Sequence, residues 1–261
     1  MRRETFDLSG HNAQIFFSGA LADWYADQTL CAAETTILLR HRDAFAGKSV
    51  LDLGVGAGRT TRFLLPLARE YVGVDLSPQM IARARRAFPT ARLLELDVRE
   101  LGRLADQRFD FIFAPWGMLD ALTPEDRETT LGRIAEVTPI GGMFVLSAHN
   151  REAALAGQKP ALEFSKRPVR FLLNCGHFVR ARLNYHRRKH LRRETADYAL
   201  FNDMAHNWQG VFYYIDRAAQ IAQLARMGFE VREIYGEDGR PIAAGDDVSP
   251  DGCLHYVAVR V

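Results

Sequence analysis

The stretch Lys48-Ser49-Val50-Leu51-Asp52-Leu53-Gly54-Val55-Gly56-Ala57-Gly58-Arg59 decides the fold. Its first half is short, apolar and rich in branched residues, as a buried strand is, and it runs straight into a glycine cluster. Glycines there let the backbone turn sharply and approach a ligand closely, so the segment marks a strand-to-helix junction. Downstream, Tyr71-Val72-Gly73-Val74-Asp75 repeats the strand, with Ser77 as N-cap and Pro78 in the first turn of a helix ending near Phe88-Pro89. Arg92 to Asp97 and Phe109 to Ala114 read as two more strands, Pro124 to Glu136 as a helix, and Gly142 to Ser147 as a fifth strand. Upstream, residues 30–44 read as an amphipathic helix. Strands alternating with helices at this spacing predict a doubly wound α/β sheet, parallel, with right-handed crossovers and helices on both faces.

The rhythm changes after residue 150. Alternating stretches such as Phe178-Val179-Arg180-Ala181-Arg182-Leu183 predict an antiparallel insertion over residues 151–215. Asp216 can then cap a helix that stops at Gly228, and Phe229 to Ile234 and Leu254 to Val261 read as closing strands. The expected organisation is one domain: an N-terminal helical segment (1–45), a core (46–150), the insertion (151–215) and a closing helix and strands (216–261).

A chain of 261 residues, 48% hydrophobic and 25% charged, can bury one sizeable core. Its 34 basic and 32 acidic residues leave a net charge of +2, which gives no general reason to expect nucleic acid or a membrane. No stretch approaches the roughly 18 apolar residues needed to span a bilayer. Cys31, Cys175 and Cys253 form no Cys-x-x-Cys, so the expected setting is a reducing cytoplasm. His186 and His190 have the i, i+4 spacing of a metal pair, but Arg187, Arg188 and Lys189 lie between them, and no metal is expected.

Three strand ends carry the chemistry. Gly54, Gly56 and Gly58 follow the first strand. A nicotinamide-dinucleotide fingerprint needs a third small residue where Arg59 stands, which argues against a dehydrogenase. Asp75 ends the second strand, where a carboxylate can accept both hydrogen bonds of a ribose diol. Asp97 ends the third and can accept from an adenine amino group. Ligands of open α/β sheets lie outside the carboxyl ends of the strands, so all three face one crevice.

On these residues, positions 50–148 resemble the core of the class I S-adenosylmethionine-dependent methyltransferases, a Rossmann-like fold. The resemblance implies S-adenosylmethionine as cofactor. Asp52, Gly54, Gly56 and Gly58 would surround its methionine part and Asp75 would hold the ribose. Leu76 and Met80 would flank adenine, Asp97 and Val98 would read its amino edge, and Ala114, Pro115 and Trp116 would line the strand-four side. Tyr25 and Arg59 would approach the cofactor carboxylate. Ser147-Ala148-His149-Asn150 and Tyr213-Tyr214-Ile215 resemble a bacterial branch of the superfamily, and Asn150, His206, Tyr213 and Tyr214 are the candidate acceptor-side residues.

His149, read as following the fifth strand, can reach the crevice mouth and act as a general base; the alternative is a histidine satisfied by loop backbone. Neighbours on a strand face opposite ways, so at least one of Tyr213 and Tyr214 is expected in the core. Ala114-Pro115-Trp116-Gly117 lacks the Asn-Pro-Pro-Tyr type of signature, which disfavours a nucleic-acid substrate. The expected reaction is methyl transfer to oxygen or nitrogen of a small molecule. Transfer or cyclisation of the aminocarboxypropyl arm, or cofactor binding without catalysis, are the alternatives. Residues 166–193 hold ten Lys or Arg and no Asp or Glu. That segment is either a solvated or subunit-contacting face, a homo-oligomer being open, or an attraction to an anionic acceptor or carrier.

Overall fold

Residue parity along each strand divides the core into two layers. Leu51 and Leu53, Val72 and Val74, Ile112 and Ala114, and Phe144, Leu146 and Ala148 join one apolar cluster. Their in-between neighbours Val50, Tyr71, Phe111, Phe113 and Val145 join another. Side chains alternate across a strand, so a sheet apolar at both parities must be covered on both faces. The computed structural model, which describes residues 7–15 and 27–261, shows that arrangement.

Helices α1 (Leu8–Ile15), α2 (Ala32–Arg40) and α3 (Arg42–Phe45) precede the core. Strands β1 (Ser49–Leu53), β2 (Glu70–Asp75), β3 (Arg92–Glu95), β4 (Phe111–Ala114) and β5 (Met143–Asn150) follow, with helices α4 (Thr61–Leu64), α5 (Pro78–Ala87) and α6 (Pro124–Val137) between them. The parallel strands stand in the order β3-β2-β1-β4-β5. After helix α7 (Pro168–Arg188), strands β6 (Arg193–Glu194), β7 (Tyr198–Phe201) and β8 (Phe212–Ile215) form an antiparallel section. Helix α8 (Arg217–Arg226) leads to β9 (Phe229–Tyr235) and β10 (Cys253–Arg260), and β10 runs antiparallel between β5 and β9.

Two sequence expectations change. Residues 178–183 lie inside α7 and are helical, not extended. Pro168 in the first turn and a 21-residue run free of other prolines outweigh a short local alternation. Strand β5 also continues through His149 and Asn150, because Cys253 of β10 pairs with His149 on one edge and Tyr214 of β8 pairs with it on the other. Since β4 ends opposite Leu146, β8 occupies the same edge of β5 just beyond β4. The insertion is therefore rooted at the carboxyl end of the sheet.

Candidate active site

The backbone after β1 turns through three glycines with positive φ: Gly54 (68°), Gly56 (57°) and Gly58 (98°). A Cβ at Gly54 would stand 2.6 Å from Met118 Cγ, so that position needs glycine for space as well as conformation. At Gly56 a Cβ would meet nothing nearer than 4.0 Å, which leaves open ground before the loop. The Gly56 N–H donates to Asp75 Oδ2 and the Ser77 N–H to Oδ1, both at 2.8 Å. Burial raises the Asp75 pKa, and these two N–H donors oppose that rise. Each carboxylate oxygen keeps a further lone pair for a ligand hydroxyl.

These residues form one wall of a cavity of about 630 Å³, within the range of small-molecule sites. Of the residues expected from sequence, Gly54, Gly56, Arg59, Asp75, Leu76, Met80, Asp97, Val98, Pro115, Trp116 and His149 line it. The Asp97 carboxylate is shared: its Oδ2 accepts from Arg99 Nη2 at 2.6 Å and Nε at 2.9 Å, and its Oδ1 from the Arg99 N–H. Arg59 is bound bidentately to buried Glu34, at 2.5 and 2.8 Å, with its guanidinium carbon 4.0 Å from the centre of the Trp116 ring. Among the described residues, the two guanidiniums of the cavity, Arg59 and Arg99, thus already face carboxylates. Trp116 holds a φ of 55°, unusual for a bulky residue and positioned on the cavity wall.

The same cavity holds a group with acid-base capacity. His149 Nδ1 lies 2.8 Å from Asp120 Oδ2, and the same oxygen accepts the His149 backbone N–H at 2.8 Å. Its Nε2 is 3.7 Å from Asp203 Oδ2, which also accepts from the Tyr214 hydroxyl at 2.8 Å. The Tyr214 and Phe212 rings lie 4.8 and 5.7 Å from the imidazole. Burial alone would lower the His149 pKa, but the two carboxylates outweigh it and raise it. A nearby buried imidazole behaves oppositely: burial lowers the pKa of His255, also on the cavity wall, to about 4.

Asp120 is held in turn from behind. Its Oδ1 accepts from Arg127 Nη1 at 2.7 Å, neither side chain having any exposure. Arg127 also donates to Gln220 and Gln223 on α8. Removing Arg127 alone would leave a buried carboxylate short of its counter-charge. Arg127→Met is therefore expected to cost about 3 to 5 kcal/mol of stability, read by denaturant unfolding.

Several expected site residues stand elsewhere. Asp52 is fully buried behind the loop, where its Oδ2 accepts from Thr60 and Tyr71; burial pushes its pKa up to about 6 against those two hydrogen bonds. It occupies the parity of Val50, facing away from the cavity. Gly58 packs toward Phe88, and Ala114 is buried in the core. Asn150 is an anchor: its Nδ2 donates to the Val248 and Asp251 carbonyls, and its Oδ1 accepts the Glu152 N–H. Tyr213 points to the other face, stacked on Tyr198 and beneath Arg127. Tyr214 supports His149 without lining the cavity. Tyr25 and the His206 side chain lie outside the described residues. Sequence reading missed Asp120, Arg99, Asp203 and Phe212. Gly117, whose added Cβ would lie 2.7 Å from Asp120 Oδ2 and 3.1 Å from His149 Cε1, was the available local signal of close packing there. Among the described residues no cluster of His, Cys, Asp and Glu has the makings of a metal site.

Residues 50–142 match the family model described as a methyltransferase domain. The trans-aconitate 2-methyltransferase of Enterobacter sp. (strain 638) is 38% identical over 105 residues, 36% of this chain and 39% of that protein. The malonyl-[acyl-carrier protein] O-methyltransferase of Pectobacterium atrosepticum is 31% identical over 137 residues, 52% of this chain and 53% of that protein. The chain thus spans about half or less of the length of these curated relatives. The solved structure of the CcbJ methyltransferase from Streptomyces caelestis superposes with a TM-score of 0.62 at 18% identity, covering 92% of this chain and 96% of that one, which shows the shared fold.

Proposed function

We propose that this chain, whose residues 50–142 match a methyltransferase domain, is a class I S-adenosylmethionine-dependent enzyme that transfers the cofactor's methyl group to oxygen or nitrogen of a small molecule. One observation supports this above the others: the glycine-loop wall with Asp75 and the Asp120–His149 pair share a single cavity. S-adenosylmethionine fits the residues present, since Gly56 faces open ground and Asp75 offers acceptor lone pairs beside it.

When bound, the cofactor supplies an electrophilic methyl and its own leaving group, so in-line displacement asks the protein chiefly for alignment and exclusion of water. Gly54, Gly56 and Asp75 would hold the cofactor, with Leu76, Met80 and Val98 against its adenine. Phe212, Trp116, Met118 and Leu122 would pack against an acceptor with a largely apolar body. His149, kept in one orientation by Asp120, would take the acceptor proton. An anionic acceptor would find the Arg59 and Arg99 guanidiniums already engaged by Glu34 and Asp97, and none of the ten bases of residues 166–193 lines the cavity. We therefore favour an acceptor uncharged near the reacting atom.

We read residues 151–215 as the acceptor-side cover, on the ground that β8 pairs with β5 at His149 and brings Phe212 to the cavity. Free Cys31, Cys175 and Cys253 suit a cytoplasmic setting. Mass spectrometry of the protein incubated with S-adenosylmethionine and cell extract tests the reaction. The expected products are S-adenosylhomocysteine and an acceptor heavier by one methyl group. Methylthioadenosine above the non-enzymatic background would reassign the chemistry to another sulfonium carbon, and tight binding with no product would leave a binding protein.

A further inference from the structure

Helix α7 turns its apolar side outward. Val169, Leu172, Leu173, Val179 and Leu183 are 54% to 75% exposed, and the steps 169–172–179–183 place four of them on one stripe. On the opposite side Ala181, Asn184 and Tyr185 are buried against the body, and Asn184 Nδ2 donates to the Asn207 carbonyl at 2.9 Å. The outward stripe is therefore not the inner face misplaced. Exposed Arg180 borders it on one side and exposed Arg182 on the other, and exposed Arg187 follows it at the end of the helix, in line with Val169.

Charge selects what can cover this face. Residues 166–193 carry ten bases and no acid, so two copies packed stripe to stripe would bring like charges together. An anionic surface meets them favourably, and a flat one suits a straight stripe on a helix about 30 Å long. Arginine stems can lie along the apolar boundary while their heads reach phosphate oxygens. Just before the helix, Phe164 is 79% exposed, with its ring 5.5 Å from that of Phe171. We propose that α7 lies in the headgroup boundary of an anionic phospholipid bilayer, its stripe inserted and its arginines on the phosphates. Among the described residues no helix is long and apolar enough to cross a membrane, so this is attachment along the surface. The sequence expectation is no membrane partner, from a net charge of +2 and the lack of a spanning stretch; the proposal departs from it because ten of the bases gather in residues 166–193 beside an exposed apolar stripe.

The test is sedimentation of the full chain with sucrose-loaded vesicles of phosphatidylglycerol and phosphatidylcholine mixed, or of phosphatidylcholine alone. Binding is expected to the mixed vesicles, much less to the neutral ones, and to weaken with salt. Leu172→Asp and, separately, Arg180→Glu with Arg187→Glu are each expected to weaken partition about tenfold or more. All these positions are exposed, and unchanged circular dichroism and thermal unfolding would show the variants folded. No sedimentation with mixed vesicles at low salt, or equal sedimentation of the parent and both variants, overturns the proposal. So would a concentration-dependent dimer abolished by Leu172→Asp without vesicle binding, which assigns the face to a second copy. Binding to polyglutamate without vesicle binding would assign it to an acidic protein instead.

Discussion

Replacing His149 with alanine is expected to lower turnover by about 10²- to 10⁴-fold with little change in cofactor affinity, the range lost when a positioned general base is removed. The expectation rests on the imidazole standing between two carboxylates on the cavity wall, with Nδ1 2.8 Å from Asp120. A histidine must be neutral to accept a proton. The carboxylates raise its pKa over the opposing effect of burial, so the rate should fall on acidification already above the ordinary imidazole range. Asp120→Asn separates positioning from packing. It removes the largest pKa-raising partner, so the acid limb of the profile should move to lower pH even as the maximal rate drops. A merely structural Asp120 would change the rate or the stability without moving that limb. Unaltered kinetics in a folded His149→Ala protein would end the base assignment.

Asp75→Ala is expected to weaken S-adenosylmethionine binding by about 10²- to 10⁴-fold, since two charge-assisted hydrogen bonds are each worth about 1.5 to 3 kcal/mol. Asp75 also holds the glycine loop through the Gly56 N–H and the next helix through the Ser77 N–H. Asp75→Asn keeps one oxygen and the shape, and should lose less. Protonation removes acceptor capacity, so affinity should fall as pH drops through a pKa that burial holds above the usual carboxylate range. Titration calorimetry reads all three effects. Full affinity in a folded Asp75→Ala protein would remove this residue from the site.

What was legible in the sequence was local. The apolar run into Gly54–Gly58, the capped helix at Ser77-Pro78 and the carboxylates closing successive strands each depend on neighbours within a few residues. The period-2 and period-3.6 patterns in the first half therefore placed the parallel sheet and its carboxyl edge. The same logic misread residues 178–183, because a six-residue alternation carries less weight than the surrounding helix. The family resemblance set Asp52 beside the cofactor, whereas strand parity turns that side chain to Tyr71 and Thr60 on the other face.

Sequence alone thus determined the doubly wound core and the cavity wall formed by Gly54, Gly56 and Asp75, because those residues sit at strand ends that a parallel sheet must bring to one edge, while Leu76, Met80 and Val98 were implied by the family resemblance. Only the tertiary structure decided the surroundings of His149. Asp120 meets His149 across 29 positions of sequence, Arg127 meets Gln220 and Gln223 across more than 90, and Asp203 arrives with the insertion. No periodicity encodes such meetings. They arise because β5 runs past β4 and takes β8 as its next neighbour, which sets His149 between an edge pairing and a buried ion pair.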